Sequence, residues 1–182
     1  MRFGYADPPY PGLAGRYYDA PEVDHVKLVA RLVAGYPDGW ALSTSAEALA
    51  EVLPLCPPGT RIAAWVRGAR NGLARTARSA WEPLLVAGGR TRRICTTDDG
   101  LADVLIWGGR QHSHPDALVG MKPAAFCEWM FRLLGAAAGD TLDDLYPGSG
   151  AIGRAWALYT SPEAPGAGLP SRLEEALRRV PA

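Results

Sequence analysis

An acid, two prolines and an aromatic ring, Asp7-Pro8-Pro9-Tyr10, end a short apolar run, Phe3-Gly4-Tyr5-Ala6, near the start of the chain. The prolines fix φ near about −65° and carry no N–H, so the turn is stiff and cannot extend a sheet. Their carbonyls remain free to accept hydrogen bonds. If the apolar run is a strand, a carboxylate, a carbonyl and a ring face meet at its C-terminal end, where open α/β sheets bind ligands. That trio suits an exocyclic amine on a flat heterocycle: the ring stacks on it and the two oxygens take its N–H protons.

A second chemistry-bearing stretch comes late, Asp144-Leu145-Tyr146-Pro147-Gly148-Ser149-Gly150, leading into a helical pattern over Ala151–Leu158. Glycines there bring the backbone close to a ligand at a helix N-terminus, where free N–H groups favour anionic ends. Gly148-x-Gly150-x-x-Gly153 also fits the dinucleotide fingerprint. A nicotinamide site needs a further strand carrying an acid about twenty residues on. The rest of the chain holds only a Pro/Gly-rich stretch, Pro162 to Pro170, and a short amphipathic helix, Arg172–Val180. No second strand fits.

Together these stretches resemble the β-type, permuted DNA amino-methyltransferases, in which the catalytic motif comes first and the cofactor motif last. Lys122-Pro123, followed by a helix, resembles the segment preceding the cofactor loop in that family. The resemblance covers residues 1–15 and 120–156. It implies a Rossmann-like, S-adenosylmethionine-dependent methyltransferase fold, permuted and truncated, with a mostly parallel sheet of about five strands and the cofactor strand near an edge. It implies Asp7, Pro8, Pro9 and Tyr10 as catalytic residues, and Lys122, Pro123, Asp144, Tyr146, Gly148, Ser149 and Gly150 as cofactor-binding ones. An acid at the first motif position resembles adenine-N6 enzymes, whereas cytosine enzymes more often carry serine there. The small size without a separate recognition domain resembles phage-like members. Family members usually carry an acid for the cofactor's ribose on a following strand. Here the only early acid of the tail is Glu163, in loop-like sequence. Two other readings remain: the same chemistry on RNA or another amino acceptor, and a non-catalytic member that binds nucleic acid or an active partner.

The remaining elements must position these residues. With 182 residues, 48% hydrophobic and 21% charged, the chain reads as one domain, 1–182. Its parts are a catalytic-motif half (1–60), strands with arginine-rich loops (61–115), a cofactor-motif half (120–160) and a tail helix (161–182). Pro21 opens a helix with Val26, Val29, Leu32 and Val33 on its apolar face and His25 on the solvated side. Trp40–Thr44 reads as a strand, and Ser45 caps a helix Ala46–Leu53 with Glu47 and Glu51 outward. Strands follow at Arg61–Val66, Trp81–Val86 and Asp103–Trp107, then a helix opened by Met121-Lys122-Pro123 with Phe126, Trp129, Met130 and Leu133 on one face. The alternation predicts a mostly parallel α/β sheet.

Formal net charge is zero, but eight arginines and one acid, Glu82, lie between Arg61 and Arg93. Arg67, Arg70, Arg75 and Arg78 have no apolar face to join, and are read as an exposed loop that meets nucleic-acid phosphate, positioning rather than specifying. Tyr17 and Tyr18, in a turn-rich segment, could stack on a base or pack under the loop. Three dispersed cysteines make no zinc or disulfide pattern. His112 and His114 lack a third ligand at matching spacing, so no metal is expected. No apolar run approaches the ~18 residues of a membrane span, and no leader is visible. A soluble, reducing cytoplasmic setting with DNA, or alternatively RNA, as partner follows.

Overall fold

The apolar run Arg2–Ala6 forms β1, flanked on both sides by parallel neighbours: β2, Gly39–Ser43, and β6, Thr141–Asp144. The computed structural model describes residues 1–17, 21–68, 77, 79–91, 101–108 and 121–161. Beyond β2 come β4 (Trp81–Gly88), β3 (Arg61–Val66) and β5 (Val104–Ile106), giving the six-stranded order β5-β3-β4-β2-β1-β6. Only β4 runs against the rest, antiparallel to both β2 and β3. It returns from β3 as a hairpin and inserts between β3 and β2. The expected mostly parallel sheet is therefore present, with six strands and the glycine-loop strand β6 at an edge.

Alternation along the strands sorts side chains to two faces. Phe3, Tyr5, Ala41, Ala63, Trp65, Leu84 and Val86 join one core with α4 (Ala124–Leu133) and α5 (Ala151–Tyr159). Ala6, Trp40, Leu42 and Leu85 join a second core with α2 (His25–Gly35) and α3 (Leu49–Val52). The sheet is thus sandwiched between helices, the arrangement that buries strands on both faces. Helix α4 is apolar nearly all round because it is covered on both sides. Its inner face meets the sheet, and Phe131 meets the Trp156 ring of α5 edge-on at 5.0 Å. Between Ala14 and Tyr17 the chain makes one further turn of helix, α1.

Two helices differ from the sequence reading. Helix α2 starts at His25 rather than Pro21, because the Asp24 carboxylate accepts from the Lys27 N–H at 3.0 Å and caps it there. Its buried residues are Leu28, Val29 and Leu32, whereas Val26 and Val33 are exposed. With valines and leucines on several sides of α2, periodicity alone does not fix which side faces the sheet. His25 is half-buried rather than solvated, its Nδ1 lying 2.9 Å from the Val23 carbonyl. Ser45 does accept from the Ala48 N–H at 3.1 Å, but 46–48 form a turn, and α3 lasts one turn before a 3-10 turn at Leu53–Leu55 that contains Pro54. Glu47 and Glu51 point outward as expected.

One glycine is dictated by packing. A Cβ on Gly4 would lie 2.5 Å from the Tyr36 ring, which closes α2 onto β1 and donates its hydroxyl to Asp143 at 3.0 Å. Among the described residues no helix is long and apolar enough to cross a membrane.

Candidate active site

Strands β1 and β6 bring the two motif turns to one end of the sheet. Tyr5 pairs with Asp144, and the Leu145 N–H donates to the Tyr5 carbonyl at 2.9 Å. Asp7, two residues beyond Tyr5, and the turn after Asp144 therefore leave adjacent parallel strands side by side. The Asp144 carboxylate accepts from the Tyr146 N–H at 3.2 Å, and the Gly150 N–H donates to the Pro147 carbonyl at 2.6 Å. Gly148 (φ 47°) and Gly150 (φ 72°) take the left-handed conformation that favours glycine, and Gly150 is the N-cap of α5. Arg154, one turn into α5, donates to the Ser149 carbonyl at 2.8 Å, so a guanidinium lies beside the glycine turn. Burial raises the Asp144 carboxyl above its usual range, and the charge of Asp7 raises it further against the Tyr146 N–H.

Around Asp7 the chain builds a closed polar cluster. Lys122, immediately before Pro123 (the N-cap of α4), is 5% exposed and extends its ammonium to Asp7 Oδ1 at 3.0 Å. The same nitrogen reaches the Tyr10 hydroxyl at 3.1 Å and Glu82 Oε2 at 3.3 Å. An ammonium has three N–H bonds, and these are its three acceptors. The rings of Tyr10, Trp65 and Phe126 surround it at 5.6–5.7 Å. Tyr10 lies 3.0 Å from Glu82 Oε2 and 3.4 Å from Asp7 Oδ1, and its single proton goes to the nearer acceptor, Glu82. On the far side, Glu82 Oε1 takes an ion pair from Arg67 Nε at 2.8 Å. Behind the cluster, the buried Tyr5 hydroxyl meets Ser43 Oγ at 2.9 Å.

The charges respond in opposite directions. Burial raises the Asp7 carboxyl above its usual range, and the Lys122 ammonium offsets only part of that. Burial would raise Glu82 too, but Lys122 and Arg67 outweigh it and hold Glu82 below its usual range. Burial disfavours the charged form of Lys122, yet Asp7, Tyr5 and Glu82 keep it an ammonium well above the lysine range. One buried cation is therefore held between two carboxylates of unequal basicity.

Asp7, Pro8, Pro9, Tyr10, Lys122 and Pro123 gather at one strand end, with Asp144, Tyr146, Gly148, Ser149 and Gly150 at the next. Tyr146 packs its ring into the core on the α2 side. Arg67 differs from its reading: only 14% exposed, it turns inward to Glu82 rather than outward. The reason is the β3–β4 hairpin, whose register sets Glu82 opposite Trp65, two residues before Arg67. Arg70, Arg75, Arg78, Tyr18, Cys95, His112, His114, Glu163 and the tail helix lie outside the described residues. Glu82 is the functional-looking residue that motif reasoning missed. The sequence marks it only as the sole acid among the arginines of 61–93, which says nothing of its partners.

No protein-family model matches the sequence, and no curated protein sequence matches it. Among solved structures, the crystal structure of the M1.HpyAVI–SAM complex is similar, with a TM-score of 0.56 at 16% identity, over 85% of this chain and 76% of that one. The likeness is one of fold: a mostly parallel, six-stranded α/β sheet with helices on both faces.

Proposed function

We propose that the chain transfers a methyl group from S-adenosylmethionine to the N6 amino group of adenine in DNA. The observation that carries this reading is the adjacency of the two turns: Asp7-Pro8-Pro9-Tyr10 and Asp144 to Gly150 leave parallel neighbouring strands at the same sheet end. The fold shared with a protein crystallised with SAM supports the same reading. The residues present fit the donor. Gly148 and Gly150 open the backbone before α5, Arg154 lies beside them for a carboxylate end, and the half-buried Asp144 suits an ammonium or sulfonium charge.

When bound, S-adenosylmethionine supplies a methyl group on a cationic sulfur. The protein's part is alignment. An adenine in duplex DNA is stacked, so it must be flipped out at a cost of about a few kcal/mol. The Tyr10 ring offers a stacking face, and its hydroxyl is anchored to Glu82 and Lys122. Asp7 and the Pro8 carbonyl would accept hydrogen bonds from the two N–H groups of the amine, leaving the nitrogen lone pair turned toward the donor. Holding both partners near attack geometry can remove about 7–11 kcal/mol of barrier. Asp7 fits because both of its contacts fall on Oδ1 and, among the described residues, Oδ2 takes no partner.

Calorimetric titration with S-adenosylmethionine, followed by transfer of labelled methyl to DNA, RNA and free nucleosides, tests the reading. Binding and DNA labelling are expected, with labelling lost in Asp7→Ala while the fold and donor binding persist. Donor binding with label on RNA alone would move the acceptor to RNA. Absence of donor binding would overturn the reading.

A further inference from the structure

Lys122 raises a problem for the chemistry just described. Its ammonium is almost wholly buried among three rings, and the carboxylate it holds most closely, Asp7 at 3.0 Å, is the one the acceptor must use. When an amino group bound at Oδ2 draws the Asp7 carboxylate away from Lys122, a cation buried beside Asp7 alone would lose its counter-ion at a cost of several kcal/mol. The second carboxylate removes that problem. Glu82 Oε2 lies 3.3 Å from the same nitrogen, while Arg67 and the Tyr10 hydroxyl fix the glutamate in place.

We propose that Glu82 is a positioning residue that takes over the Lys122 ammonium when Asp7 turns to the acceptor amine, and that it holds Tyr10 in stacking position meanwhile. This rests on the methyltransfer reading and deepens it. No proton or electron changes hands. One N–H···O contact weakens as its neighbour strengthens, and the cation stays paired throughout. Glu82 reaches the site from β4, the antiparallel strand, through Tyr10 of the turn after β1 and Lys122 of the segment before α4. Three separate segments therefore share one charge balance.

A double-mutant cycle reads the pairing without any need for turnover. Urea unfolding is measured for wild type, Asp7→Asn, Glu82→Gln and the double variant. Losing Glu82 leaves Asp7 to pair with Lys122 in wild type but leaves no carboxylate in the Asp7→Asn background. Glu82→Gln is therefore expected to lower the folding equilibrium constant at least about tenfold more in that background than in wild type. Should the double variant fail to fold, Lys122→Met supplies the complementary test: without the ammonium, Glu82→Gln should cost several-fold less than it does in wild type. Costs that add to within about twofold in the measurable background would overturn the exchange.

With DNA as acceptor, Glu82→Gln is expected to raise KM for DNA by about tenfold, leave S-adenosylmethionine affinity within about twofold, and be largely rescued by Glu82→Asp. An unchanged KM for DNA would also overturn the proposal. A wild type that binds no donor would sink the methyltransfer reading alone, and the unfolding cycle would still decide the pairing.

Discussion

Asp7 illustrates how position rather than residue type sets the chemistry. Burial raises its carboxyl above the ordinary 3.8, even with an ammonium at 3.0 Å. In the proposed reaction the acceptor amine needs the ionised carboxylate, so kcat/KM should fall as pH drops through this raised value. A pH–rate profile is expected to show its acid limb above pH 3.8, and a limb at or below that value would contradict the burial argument. The turn of four residues after β1 was legible in the sequence because its residues are contiguous. Glu82 was not, because its partners Tyr10 and Lys122 lie 72 and 40 residues away. Only the register of a hairpin brings such groups together. Arg67 follows the same rule: beside other arginines it reads as an exposed phosphate contact, whereas the hairpin turns it inward to Glu82.

Among the elements, β1 does most to place the site, and Gly4 is what allows it. Tyr36 packs where a Cβ would stand, at 2.5 Å, and ties α2 to β1 and, through Asp143, to β6. Gly4→Ala must push the ring or the strand aside and is expected to destabilise the protein by about 1–3 kcal/mol in urea unfolding. A change below about 0.5 kcal/mol would show that Tyr36 relaxes freely. Strands Arg61–Val66 and Trp81–Gly88 could be read from composition, since runs rich in Ile, Val, Leu and Trp between turn formers suit a buried sheet. The rotation of α2 could not, because its apolar residues surround more than one face. The direction of β4 was equally hidden. Short apolar strands look alike whether they run with the sheet or against it.

Across the whole molecule, the end of the sheet opposite the site is pinned by one carboxylate. Asp140, just before β6, accepts from the N-terminal ammonium and from Arg90 at 2.7 Å, and from the Ala137 N–H at 2.8 Å. It thereby joins the start of β1, the segment after β4 and the entry to β6. Burial would raise this carboxyl, but those donors outweigh it and hold it at about 2 instead of 3.8. A depressed carboxylate contributes its full stability above 3.8 and loses it as pH falls toward about 2. Asp140→Asn is expected to cost about 1–3 kcal/mol at pH 7 and to flatten the loss of stability over that acid window. An unchanged acid transition would assign it to other carboxylates. The order of the sheet follows the same lesson as the hairpin: the alternation of strands and helices announced an α/β fold, and long-range pairing decided which strand lies next to which.

The account rests on donor and acceptor meeting between the ends of β1 and β6, and nucleoside mass spectrometry tests that most directly. Unmethylated DNA incubated with the protein and S-adenosylmethionine, then digested to nucleosides, should yield N6-methyldeoxyadenosine with wild type and none with Asp7→Ala. Methylation that persists in Asp7→Ala, or methyl groups found only on cytosine, would contradict it.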